Sequence, residues 1–265
     1  MEVEFHTVNV FTDEAFAGSQ VAVVPDASGL SAGQMQAIAA EFGYSETAFV
    51  LPPRERARAA ELRIFTPRGE VPFAGQPTIG TAFVLGRLGR AHGRRTASRM
   101  VLEGKAGPMT AELMLEGARV AGASVQPPGA LLLGPRVDHE AVADCAGLCP
   151  ADIRDDRHGP LVASLGVPFA FAELRSAAAL ARARPRAEAF AERLPLALAK
   201  GLHLYVRDGE SDGGRERCLT LVARSFTPLH GIAEDTATGS ANAALATLLA
   251  TLTRKTAKRG LTIRV

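Results

Sequence analysis

Two stretches of this chain repeat one pattern: a β-prone run ending in Phe-Thr-Pro, a polar loop, then Gly-Thr-Ala or Gly-Ser-Ala in a helix apolar on nearly every side. The first is FTPRGEVPFAGQPTIGTAFVLGRL from Phe65; the second is FTPLHGIAEDTATGSANAALATLLA from Phe226. This pattern sets Gly80 against Gly239. A helix with one apolar stripe can lie on a surface, but a helix apolar all round has to be enclosed. Two such helices, each fed by a strand, predict a duplicated domain with strands around one buried helix in each half. The 265 residues, 47% hydrophobic and 22% charged, suffice for two such cores. Pro127-Pro128-Gly129 is a break, and the halves are placed at residues 1–120 and 121–265.

Local signals fill in the elements. Val3 to Phe11, Gly18 to Ala27, Thr47 to Leu51, Glu61 to Thr66, Met100 to Leu102, Met109 to Leu115 and Ala118 to Val125 read as strands. Ser31 is an N-cap and Gly43 a stop for a helix bearing Met35, Ile38, Ala39 and Phe42 at helical spacing. Pro77 opens the first apolar helix and Gly89 ends it. In the second half, Val137 to Cys145, Ser176 to Arg193 and Thr238 to Leu252 read as helices. Leu161 to Ala163, Ala170 to Leu174, Leu202 to Val206 and Cys218 to Ser225 read as strands, with Ser211 to Arg217 a hairpin loop. The last residues, RGLTIRV, read as a strand.

Charge and motifs exclude several classes. Thirty Lys and Arg against 28 Asp and Glu leave a formal charge of +2. That balance gives no field to hold a polyanion, so no nucleic-acid partner is expected. The basic clusters at Arg54 to Arg58, Arg87 to Arg99 and Arg254 to Arg259 read as solvated faces. No run of apolar residues is long enough for a membrane span, and the start shows no secretory pattern. Cys145, Cys149 and Cys218 cannot all pair, which fits a reduced, cytoplasmic chain. No histidine pair sits at i, i+4, and Cys145 and Cys149 lack nearby ligand partners, so no metal site is expected.

Three polar clusters remain in unusual places. In GYSET, Ser45 and Glu46 stand between a helix end and the apolar run TAFVL. A carboxylate pressed against a core there can serve as a general base; a solvated loop Glu is the plain alternative. In PFAGQPT, Gly75 permits close backbone approach, and the free N–H groups just past Gln76 favour an anion. In HGIAEDTATGSANA, Glu234 and Asp235 precede a second helix start that holds Gly239 and Ser240; Asp235 could also be a simple cap. If the halves face each other, these clusters could line one cleft for a small carboxylate-bearing molecule.

These stretches, with VNVFTDEAFAGSQVAVV and MQAIAAEFGYSETAFVLPP, resemble the phenazine-biosynthesis isomerase-like family, related in fold to diaminopimelate epimerase. The resemblance spans almost the whole chain. It implies an α+β fold of two pseudo-symmetric halves, each a mostly antiparallel curved sheet wrapped around a central helix, with the active site in the cleft between them. It implies homodimers, no metal or organic cofactor, and isomerisation of dihydro-3-hydroxyanthranilate by proton transfer. Carried over by motif, Glu46 is the general base with Ser45 beside it, Asp235 is the second catalytic acid, and Gly75, Gln76, Gly239 and Ser240 bind substrate.

Three departures bear on the reaction. Gln76 stands where the family has His, and an amide cannot shuttle a proton near neutral pH. Thr236 replaces the usual Pro after the Asp. The family continues past RGLTIRV with further strands, so the second half is expected to lack its final ones. Two other functions compete. A two-thiol racemase needs a cysteine in each half, and all three cysteines lie in the second. A non-catalytic binding or interaction protein on the same scaffold is the alternative to the isomerase.

Overall fold

The structure, a computed structural model, describes residues 2–212, 216–235, 238–254 and 260–264. The chain divides into two units, Met1–Gly129 and Ala130–Val265. The boundary lies beyond the expected 120/121 because the strand Arg119–Gln126 pairs with Gly107–Glu116, and a cut at 120 would split that hairpin.

In the first unit the elements are β1 (His6–Val10), β2 (Ser19–Val24), α1 (Ala32–Phe42), β3 (Thr47–Leu51), β4 (Ala60–Thr66), β5 (Gly69–Val71), α2 (Gly75–Leu88), β6 (Arg90–Ala91), β7 (Arg94–Arg95), β8 (Arg99–Gly104), β9 (Gly107–Glu116) and β10 (Arg119–Gln126). The main sheet runs β1-β2-β3-β4-β8-β9-β10, with β5 beside β4. Only β2–β3 and β4–β8 are parallel. α2 touches β1, β2 and β3 at one end of the sheet and β9 and β10 at the other, so the sheet curls around it. Gly80 allows that closeness: a Cβ there would sit 2.7 Å from Val21 Cγ1. The opposite face of the sheet packs Val24, Phe49 and Phe65 against Met35 and Ala39 of α1. Ser31 and Gln34 cap α1 reciprocally, and Gly43 closes it in the left-handed region at φ 67°.

The second unit contains β11 (Leu132–Arg136), α3 (His139–Ala146), β12 (Leu161–Ser164), β13 (Pro168–Glu173), α4 (Ala177–Arg182), α5 (Ala187–Arg193), β14 (Leu202–Asp212), β15 (Glu216–Thr227), β16 (Ile232–Asp235), α6 (Gly239–Arg254) and β17 (Gly260–Arg264). Its sheet runs β11-β12-β13-β14-β15-β16, with β17 parallel to β15. One face packs Phe169, Phe171, Tyr205, Leu219 and Leu221 on Ala241, Ala244, Leu245, Leu248 and Leu249 of α6. The other packs on α3, α4 and α5. The single helix expected over 176–193 is two, because Pro185 offers no N–H to a continuing helix and holds its predecessor out of helical geometry. The expected hairpin loop narrows as β14 and β15 extend to Asp212 and from Glu216; residues 213–215 lie outside the described residues, as do 255–259 of the expected basic cluster.

Six strands of each unit repeat those of the other, while β9, β10 and β11 have no counterpart among the described residues. β12-β13-β14-β15-β16 carries the same sequence of antiparallel and parallel pairings as β1-β2-β3-β4-β5, and β17 lies parallel to β15 as β8 lies parallel to β4. Phe65 pairs with Thr47, the first residue of β3; Phe226 pairs with Leu202, the first residue of β14. Arg63 donates through Nε and Nη2 to both oxygens of Glu70 at 2.8 Å and lies over the Phe65 ring. Arg224 does the same to Glu234 at 2.7 Å and lies over Phe226. Five residues past each Glu the central helix begins, at Gly75 and at Gly239. The correct match to Gly239 is therefore Gly75 and not Gly80, which lies inside α2 and serves packing.

Candidate active site

Glu46 stands on the short link between the Gly43 cap of α1 and β3. The cap reverses the chain, and β3 then enters the core with Thr47, Ala48, Phe49 and Val50 all at 0% exposure. Glu46 is thereby held half-buried at the point where the chain leaves solvent, and Ser45 beside it is exposed. The backbone at Glu46 is held by a buried strand on one side and a helix cap on the other.

α2 begins at Gly75, two residues before the expected Pro77, which occupies a first-turn position whose missing N–H costs nothing. The residue before the helix, Ala74, is extended and brings no capping side chain. Gln76 is buried, and its Nε2 donates to Gln20 O at 2.7 Å. This ties the helix start to β2, and Gln76 is held by the fold with one amide hydrogen committed.

In the second unit Asp235 ends β16, half-buried, four residues before α6. Its Oδ2 accepts from Thr238 Oγ1 at 2.7 Å. Thr238, not Asp235, immediately precedes the helix. Gly239 and Ser240 are its first two residues, both half-buried. Thr236 lies outside the described residues. Glu234 is a structural group: Arg224 holds its carboxyl below the usual range through two hydrogen bonds, and the same guanidinium donates to Leu180 O and Ala183 O.

The cysteines are placed elsewhere. Cys145 is buried in α3, and burial pushes its thiol up to about 12. Cys149 is exposed before a short turn, and Cys218 is half-buried in β15. None stands at the start of α2 or α6.

Two histidines isolated in sequence join polar groups in space. His158 meets the Tyr205 hydroxyl at 2.6 Å, and that hydroxyl also reaches Glu173, a buried acid ringed by Arg154, Arg157 and Arg207. His203 is buried opposite Ser225, with Asn242 of α6 beside it. The alternation in HLYVR carried this signal: it sets His203, Tyr205 and Arg207 on one face of β14.

Comparison with known proteins agrees with the fold. The phenazine biosynthesis-like protein family matches residues 8–264. An uncharacterized isomerase of Mesorhizobium japonicum is 37% identical over 244 residues, 90% of this chain and 77% of that protein. The trans-2,3-dihydro-3-hydroxyanthranilate isomerase of Pseudomonas chlororaphis is 36% identical over 246 residues, 92% of this chain and 78% of that protein. The crystal structure of a phenazine biosynthesis protein of the PhzF family from Bacillus anthracis superposes with a TM-score of 0.74 at 23% identity, covering 96% of this chain and 81% of the other.

Proposed function

This chain belongs to the phenazine biosynthesis-like family and is an isomerase, and from that premise we propose that it moves a proton on a small carboxylate-bearing substrate, without a cofactor, with Glu46 as general base. The observation that carries this reading is the seating of Glu46, half-buried and fixed between the α1 cap and the wholly buried start of β3. Glu46 takes a proton from carbon, and the proton returns at a new position from Glu46 or from another group. The backbone N–H groups opening α2 at Gly75–Gln76 and α6 at Gly239–Ser240 bind the substrate carboxylate, helped by the positive end of each helix. Asp235 acts with Glu46 as the second acid and orients an amine or hydroxyl of the substrate. Ser45, exposed next to the base, is a further hydrogen-bonding group. Gln76 binds and does not transfer protons, since an amide does not titrate in this range. The family resemblance further supports a homodimer, which sedimentation would test.

The compound to try first is trans-2,3-dihydro-3-hydroxyanthranilate, named as the substrate of the Pseudomonas relative. Incubated with it in D2O, the wild-type chain is expected to form isomerised, deuterated product, and Glu46→Gln to form almost none. Equal incorporation by both removes Glu46 as the base. The second reading, a binding protein on this scaffold, is favoured by one observation: Gln76 occupies the family's His position and is tied to Gln20. Tight binding of the compound by wild type with no incorporation would establish it.

A further inference from the structure

The face of the second sheet that covers α6 carries two polar groups, the Glu173–Tyr205–Arg207 cluster and, nearest the helix's first turn, a second one. There His203, Ser225 and Asn242 meet. His203 and Ser225 are cross-strand partners on β14 and β15, and Ser225 is in turn the partner of Asp235 on β16. Asn242 donates its backbone N–H to Thr238 O, and Thr238 Oγ1 donates to Asp235. His203 is 2% exposed, edge-on to Phe171 at 5.6 Å. Burial drives its imidazole down to about 4, opposed by the nearby Asn242 side chain, so the ring is neutral. Yet neither ring nitrogen is hydrogen-bonded: both, with Ser225 Oγ and Asn242 Oδ1, are buried without a hydrogen-bond partner among the described residues.

The first unit is an internal control. At the matching places it has Ala48 on β3, Ile64 on β4 and Thr78 on α2, and Thr78 Oγ1 donates to Ala74 O. The fold closes this spot with apolar groups and a satisfied hydroxyl, so nothing in the architecture demands three polar side chains there. Among the described residues, the first unit leaves the single hydroxyls of Thr47 and Thr81 buried without a partner, but it has no trio of facing polar side chains, and such a trio opposes folding unless it serves another purpose.

We propose that His203 is a positioning residue, which with Ser225 and Asn242 sets the placement of Asp235 and of the first turn of α6. His203 acts through Ser225 on the strand partner Asp235, and through Asn242 and Thr238 on the Asp235 carboxylate. The inference rests on the assignment of Asp235 to the active site, but its test does not need turnover.

The test installs the first unit's residues: His203→Ala, Ser225→Ile and Asn242→Thr together. Carboxyl NMR of Asp235 and amide hydrogen exchange are then read against wild type. The melting temperature is expected to hold or rise. The Asp235 carboxyl carbon resonance at neutral pH is expected to shift while those of the exposed carboxylates stay in place. Amides 241 and 242 are expected to exchange roughly tenfold faster. His203→Gln, which keeps a donor and an acceptor, is expected to remain near wild type in both. Ser225→Ala gives the same changes in smaller measure and serves if the triple variant does not fold. An Asp235 carboxyl resonance and a first turn of α6 unchanged in either folded variant overturn the proposal. Failure of Glu46→Gln to slow proton exchange would sink the base assignment and leave these readouts intact.

Discussion

The first and second units share six strands in the same order and pairing, an Arg–Glu clamp and a stacked Phe, and they differ at a few positions that matter more. Glu46 precedes β3 in the first; Gly201 precedes β14 in the second, and a Cβ there would run into the carbonyl oxygen of Phe226. Asp235, the strand partner of Ser225, stands where the first unit has Val71, the partner of Ile64. His203, Ser225 and Asn242 replace Ala48, Ile64 and Thr78. What both copies keep is what the architecture needs. What one copy alone carries is free of that need, and the proposed acid and base fall in this second class.

Substitutions can break the comparison. The largest effect is on chemistry: Glu46→Gln is expected to lower the deuterium-exchange rate by about 100- to 10,000-fold while leaving the melting temperature nearly unchanged. Next is packing at the counterpart position. Gly201→Ala is expected to destabilise by about 1–3 kcal/mol in urea denaturation, and Glu46→Ala by less than about 1. Equal costs would mean that positions 46 and 201 are not counterparts. Third are the clamps. Arg224→Met is expected to cost about 2–3 kcal/mol, since it removes both donations to Glu234 and one each to Leu180 O and Ala183 O, and Arg63→Met about 1–2.

The smallest effect is a pH dependence. Arg63, aided by Lys105 and against the effect of burial, lowers the Glu70 carboxyl from 4.5 to about 2. A carboxyl depressed in the folded state contributes stability that is full above the unfolded value and is lost as pH falls through the folded one. The stability gap between wild type and Arg63→Met is therefore expected to be full near neutral pH and narrower at about pH 3. A constant gap would deny the clamp its charge.

The duplication was legible because an all-apolar helix after Phe-Thr-Pro is rare enough to notice twice. Its register was not: Gly-Thr-Ala and Gly-Ser-Ala align by composition, and only the strands β5 and β16, too short to carry a period, show that Gly75 answers Gly239. The Arg two residues before each Phe was readable in sequence, but its Glu lies seven residues on in one copy and ten in the other, because the intervening turns differ in length. Glu46, Gln76, Asp235 and Ser240 were legible as polar residues at element ends, and Gly75 and Gly239 as glycines at helix starts. The alternation in HLYVR gives the face of β14 that His203 occupies but not its role, which depends on a neighbour across the sheet and another on the helix.

Chemical rescue tests the assignment of the base most directly. Glu46→Ala is expected to lose proton exchange on the substrate and to regain part of it on adding formate, with the rescued rate rising with formate concentration. Wild-type exchange by Glu46→Ala without formate would contradict the account.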